Sequence, residues 1–181
     1  SYNYNTGAEA SEYDESRVTP MAGLVFKATP QVSLYANYIE GLTKGDIAPA
    51  VSGGIPVANA STALAPYVSK QKEIGVKYDG GRFGGALNTF STVKPSAFVV
   101  GNTFTESGEQ RNRGIELSLF GEPLSGLRLL GGMTALEATQ TKTDGGTLDG
   151  KEVIGVPRRQ VNLGVEWDVP KASGMTLTGR A

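Results

Sequence analysis

The chain has 181 residues, with 17 basic against 18 acidic side chains, a near-balance that offers neither a basic surface for nucleic acid nor an acidic solvated tail. It has no cysteine and no histidine, which removes disulfides, thiolate chemistry, the commonest general base and the commonest transition-metal ligand. Its 25 glycines, and the absence of any helical spacing or of an apolar run of about 18 residues, indicate an all-β chain without a transmembrane helix.

The opening Ser1-Tyr2-Asn3-Tyr4-Asn5 does not read as a signal peptide. Two-residue alternation, the mark of a strand with one apolar face, first appears from Pro20 to Ala28, with Ala22, Leu24, Phe26 and Ala28 on the apolar side. The tight Thr29-Pro30 link leads to Gln31–Tyr38, where Val32, Leu34, Ala36 and Tyr38 alternate with Gln31, Ser33, Tyr35 and Asn37. A long excursion from Glu40 to Lys70 precedes Lys72–Tyr78, in which Ile74, Val76 and Tyr78 oppose Glu73, Gly75 and Lys77. After the turn Asp79-Gly80-Gly81-Arg82, a less clearly phased strand covers Phe83–Val93, and a long loop is expected from Pro95 to about Gln110. Arg113–Leu119 alternates again, Gly121–Gly126 is short, and Leu127–Thr139 is another poorly phased strand. Gln140–Pro157 is long, Gln160–Val169 is the clearest strand of all, Pro170–Gly174 is short, and an eighth strand begins at Met175.

Short and long connections thus alternate along the chain. In an up-and-down antiparallel sheet every second connection lies at the same end, so the tight turns gather at one rim and the long loops at the other. That is the layout of an outer-membrane barrel, with short periplasmic turns and long extracellular loops. Gln, Asn, Glu and Lys on the second face of each strand suit a wet lumen. Tyr38, Tyr78, Phe120 and Trp167, near strand ends, are candidates for interfacial girdles or ordinary strand residues.

Four segments resemble the barrel of TonB-dependent siderophore receptors. They are Arg17-Val18-Thr19-Pro20-Met21-Ala22-Gly23-Leu24-Val25 with Val32-Ser33-Leu34-Tyr35-Ala36-Asn37-Tyr38; Lys70-Gln71-Lys72-Glu73-Ile74-Gly75-Val76-Lys77-Tyr78; Gly108-Glu109-Gln110-Arg111-Asn112-Arg113-Gly114-Ile115-Glu116-Leu117; and Gly155-Val156-Pro157-Arg158-Arg159-Gln160-Val161-Asn162-Leu163. They follow the family's order over nearly the whole chain, with Arg159 where the family often has His. The resemblance implies an antiparallel up-and-down transmembrane β-barrel segment over 1–181, about eight strands of a barrel of roughly 22. Nothing in the chain resembles the family's plug domain or TonB box, or its terminal aromatic strand. The implied function is ferric siderophore binding and import through the bacterial outer membrane, with outer-membrane lipid around the wall and TonB engaged through a missing N-terminal region. No resident cofactor is implied, since the iron stays inside its chelator.

Candidate ligand contacts are Tyr67, Phe98 and Phe104, aromatic residues in stretches expected to face outside, and the cations Arg111 and Arg113. Loop packing is the plainer role for the aromatics. For Arg113 and Glu116 it is pairing with charges on neighbouring strands inside the lumen, and Arg158 and Arg159 are read in the same way. A passive porin or structural barrel is the alternative function. An outer-membrane enzyme would have to draw on Glu73, Glu116 or Glu166, which lie on separate strands, and is set aside. A soluble β-rich binding protein is the fallback. Gly80–Gly85 opens no helix and so is no dinucleotide fingerprint, the Asp144–Asp149 stretch lacks EF-hand spacing and keeps calcium only as a minor alternative, and the sequon at Asn59-Ala60-Ser61 has no consequence in a bacterial outer membrane.

Overall fold

A computed structural model of the chain describes residues 16–169 and 175–181. Eight strands form one antiparallel sheet: β1 (Met21–Lys27), β2 (Val32–Thr43), β5 (Tyr67–Asp79), β6 (Phe83–Val100), β7 (Thr103–Leu124), β8 (Leu127–Lys142), β9 (Arg159–Asp168) and β10 (Thr176–Arg180). Each pairs with its neighbour in sequence, so the topology is a plain meander. The short strands β3 (Val51–Ser52) and β4 (Ile55–Pro56) form a separate hairpin between β2 and β5. The expected Pro170–Gly174 turn lies outside the described residues.

Local chemistry sets the tight turns. Ala28 and Thr29 both donate backbone N–H groups to the Val32 carbonyl, and Thr29 Oγ1 accepts from the N–H groups of Gln31 and Val32. At the next turn of this rim, Asp79 Oδ1 accepts from the Gly81 N–H at 3.0 Å while Gly81 takes φ +82°, a conformation that costs a side-chain-bearing residue about 1 kcal/mol or more. The third of these turns is Ser125-Gly126, where Glu122 Oε1 accepts from the Gly126 N–H.

The sheet is covered in the inverse sense to a water-soluble one. Residues paired directly across strands share a face, so the register assigns each side chain to one side. One face carries Leu34, Val76, Leu87, Leu117, Met133 and Val161 in a single row, with Ala36, Ile74, Thr89, Ile115 and Ala135 in the row above. These apolar residues are the open ones: Ile74 is 60% exposed, Ile115 55% and Val161 69%. The opposite face carries Tyr35, Glu73, Asn88, Thr92, Asn112 and Glu116, all half-buried. Among the described residues only Ala48, Val57, Tyr67 and Ala138 are buried hydrophobics, so no conventional core holds the sheet. Polar residues sheltered inside and apolar residues bare outside are what a lipid-embedded barrel wall requires.

Strand lengths correct the expected loops. Pro95–Gln110 is not a loop; β6 and β7 run on through it, with an irregularity near Ser96 and Phe98, to a turn at Gly101-Asn102. A ladder of backbone hydrogen bonds needs no apolar face, so pairing continues above the lipid in sequence that shows no alternation. The long connections therefore differ in kind, but all three rise at the same rim. Of the four aromatics near strand ends, Tyr38, Tyr78 and Trp167 share the apolar face, whereas Phe120 turns inward against Gly84.

Candidate ligand-binding site

The inner face is a continuous polar wall. Thr92 Oγ1 donates to Gln71 Oε1 at 2.9 Å, Gln71 Nε2 donates to Glu73 Oε2 at 3.3 Å, and Gln110 Nε2 donates to Asn112 Oδ1 at 2.8 Å. Asn88 reaches Glu116 through Nδ2, while its Oδ1 is buried and has no donor among the described residues. Two aromatic rings lie flat along this wall over glycines: a Cβ on Gly75 would meet the Tyr35 ring at 2.6 Å, and one on Gly114 would meet Phe90 at 2.7 Å. At the short-turn rim Arg128 grips both oxygens of Asp168, at 2.9 and 3.0 Å, and also Glu166 at 3.1 Å. Thr176 Oγ1 adds a bond to Asp168, tying β8, β9 and β10 together.

Above the membrane level, the 44–66 connection folds back on the wall. Its two arms pair through Ala48 N–H to the Thr62 carbonyl, Ser61 N–H to the Ala48 carbonyl and Leu64 N–H to the Asp46 carbonyl. Asn59 then latches the loop to the β6–β7 hairpin: its Nδ2 donates to the Phe104 carbonyl at 2.8 Å and its Oδ1 accepts from the Phe104 N–H at 2.9 Å. The Ala58 N–H adds a bond to the Asn102 carbonyl at 2.7 Å. At the root of the loop the Tyr67 hydroxyl donates to Asp46 Oδ2 at 3.1 Å and accepts from the Asp46 N–H. Burial, aided by the Asp46 and Glu106 carboxylates, raises the Tyr67 pKa above its ordinary value, although the Asp46 N–H pulls the other way.

A recess of about 200 Å³ opens on the upper inner wall between this root and the hairpin, lined among others by Thr43, Asp46, Tyr67, Lys94, Ser96 and Gln110. Next to it Phe98, Ser96, Gln110, Gln140 and Lys142 border a second recess of about 280 Å³. The two share Ser96 and Gln110, so they form one polar trough, with Lys44, Asp46 and Lys94 in the first part and Glu109, Lys142, Asp144 and the Phe98 ring in the second; Lys142 pairs with Glu109 at 3.8 Å. Such a surface offers hydrogen-bond donors, charges of both signs and an aromatic ring to a solute in the vestibule.

The five residues singled out from sequence separate. Tyr67 and Phe98 border the trough; Phe104 is held by its backbone, and it and Phe98 are on opposite sides of the hairpin. Arg111 and Arg113 share the outward face of Ile115, so Arg113 does not pair with charges inside the lumen, whereas Glu116 faces inward and accepts from Asn88. Arg158 pairs with Glu152 in the outer loop. The residues that build the trough and its support but escaped sequence reasoning are Asn59, Asp46, Lys94 and Gln110. Nothing in the local pattern marks them, because their roles depend on which loops meet in space.

The family model described as TonB dependent receptor-like, beta-barrel matches residues 1–180. The chain belongs to that family. Its members are outer-membrane β-barrel transport receptors, not enzymes. The ferrichrome receptor FcuA of Yersinia enterocolitica is 42% identical over 181 residues, which is 98% of this chain and 24% of that protein. The metal-pseudopaline receptor CntO of Pseudomonas aeruginosa is 28% identical over 85% of this chain and 21% of its own. Among solved structures, the ferric preacinetobactin receptor BauA of Acinetobacter baumannii superposes with a TM-score of 0.74 at 47% identity, over 91% of this chain and 25% of that one. The ferripyoverdine receptor of P. aeruginosa, at 21% identity and a TM-score of 0.72 over 97% of this chain, shares the fold. The chain spans about a quarter of the length of the relatives it matches.

Proposed function

We propose that the chain is part of the wall and outer vestibule of a receptor that takes ferric siderophores across the outer membrane with energy delivered by TonB. The observation that carries this reading is the match to siderophore receptors along essentially the whole wall, led by 42% identity over 98% of the chain to a ferrichrome receptor. In this reading the chelate settles on the trough beneath the 44–66 loop. Lys94 attracts anionic chelate oxygens, Gln110 and Gln140 supply hydrogen bonds, and Phe98 offers a stacking face. Tyr67 serves through its ring and by fixing the loop root, and Phe104 by anchoring the latch. Arg111 and Arg113 take no part, because they point away from the vestibule. The step performed is binding followed by gated passage. Iron remains in its chelator throughout, so the chain needs no resident metal or cofactor.

Fluorescence titration of the full-length protein in detergent with a panel of hydroxamate, catecholate and mixed ferric chelates tests this. Saturable binding of one class, weakened about tenfold or more by Phe98→Ala with Lys94→Ala, is the expected result. Saturable binding untouched by that pair moves the site off this wall, and no binding across the panel removes the siderophore assignment.

A further inference from the structure

The trough beneath the 44–66 loop is polarised along its length. Its first half carries Lys44 and Lys94 against the single carboxylate of Asp46, and its second carries Lys142 against Glu109 and Asp144. Several of these groups are already engaged within the wall. Asp46 accepts from the Tyr67 hydroxyl, and Glu109 pairs with Lys142 at 3.8 Å while accepting from Thr141 Oγ1 at 2.7 Å. Among the described residues no carboxylate lies within 4.0 Å of Lys94, and no cation lies within 4.0 Å of Asp144. A positive charge in one half and a negative charge in the other are thus left to face the vestibule.

Their placement keeps them from cancelling. Phe98, which borders the Asp144 half, lies four residues beyond Lys94 on β6, roughly 13 Å along the strand. Screening at physiological ionic strength acts over about 8 Å, so each half presents its charge to a solute separately. The Asp144–Gly146 turn leans back against β6, which sets the carboxylate half beside the half-buried Phe98 ring. A carboxylate next to an aromatic ring attracts an ammonium group, by ion pairing and by cation–π attraction together. The same half repels a phenolate or a second carboxylate.

Size narrows the reading. Recesses of about 200 and 280 Å³ are each smaller than the roughly 300–1,000 Å³ that encloses a whole small-molecule ligand, so each seats one group on the ligand's edge. A ferric chelate lying along the trough therefore presents oxygens to Lys94 and a pendant group to Asp144. A tris-catecholate complex is strongly anionic all round, and it would meet Asp144 unfavourably.

We propose that the trough selects a ferric chelate bearing a pendant ammonium group, with Asp144 and the Phe98 ring holding the ammonium and Lys94 facing the chelate oxygens. This rests on the siderophore reading and names the class of chelate within it.

Fluorescence titration of the full-length protein in detergent with ferric trishydroxamates of one linear backbone tests it. Their terminal amine is left free, acetylated or succinylated, which offers an ammonium, a neutral amide or a carboxylate at the same place. Binding is expected to weaken in that order, by about three- to fivefold at each step, as suits a solvent-exposed charge. Asp144→Asn brings the three forms within about twofold of one another, and Asp144→Lys reverses the order, so that the succinylated form binds most tightly. Phe98→Leu weakens the ammonium form more than the acetylated one. Equal affinity for the three forms, an order unchanged by Asp144→Lys, or saturable binding of a ferric tris-catecholate alone overturns the proposal and leaves the siderophore reading in place. No binding of any of these chelates removes the siderophore reading, and this proposal with it.

Discussion

Placing a charge on one of two adjacent residues of β7 tests the face assignment with a large contrast. Leu117 lies in the outward row with Leu87, Met133 and Val161, while Ser118 faces inward between Ala86 and Gly132. Met133 is six residues above Leu127, so Leu117 stands about 15 Å up a belt of about 25 Å, close to its middle. Leu117→Arg therefore loads a charge near the bilayer midplane at a cost of about 2–4 kcal/mol, equivalent to about a 30- to 900-fold loss in the folding equilibrium. Ser118→Arg puts the same group into the polar interior between two small neighbours and is expected to cost less than about 1 kcal/mol. Urea titration of the full-length protein folding into phosphatidylcholine vesicles, followed by heat-modifiable gel mobility, measures both. Ile115→Arg, one row nearer the interface, falls between them. Equal losses at 117 and 118, or a larger one at 118, would refute the assignment.

The loop latch gives a second prediction: Asn59→Ala removes both bonds to Phe104 and costs local docking about 2 kcal/mol, so amides of 44–66 exchange about 30-fold faster while those of the β5–β8 ladder do not change. A third concerns pH. Tyr67 has a pKa above the ordinary 10.0 in the folded state, so its neutral form is favoured there; its contribution is complete below pH 10 and is lost as pH rises through the folded value. Loop protection is accordingly constant through neutral pH and falls in strong alkali, and Tyr67→Phe loses part of it at every pH without that alkaline step. Finally, among the described residues β1 and β10 each have one unpaired edge and the apolar face is bare, so this chain alone in plain buffer aggregates, and detergent is needed to keep it dispersed. Sedimentation as a monomer without detergent would contradict this.

Much of the wall was legible because membrane strands write their surroundings into alternate residues. Ile74, Val76 and Tyr78 against Glu73, Gly75 and Lys77 fix both the strand and its faces, and the short turns carry their own chemistry at Asp79 and Gly81. Legibility ended where lipid ends. The segment from Pro95 to Gln110 has no apolar face to keep, so its ladder left no periodic trace and a hairpin looked like a loop. The vestibule was harder still, because Asn59 acquires its role only by meeting Phe104, 45 residues away in sequence. Arg111 and Arg113 show a different limit. Their phase with Ile115 was readable and pointed outward, but charge type suggested ligand and lumen.

Whether this wall belongs to an energised importer is the decisive question. Uptake of radiolabelled ferric siderophore into cells making the full-length protein, with and without a protonophore that collapses the inner-membrane gradient, asks this directly. Uptake that stops with the protonophore, while surface binding of the chelate persists, is the expected result. Uptake that continues unchanged would contradict it, since passage through the barrel would then be passive.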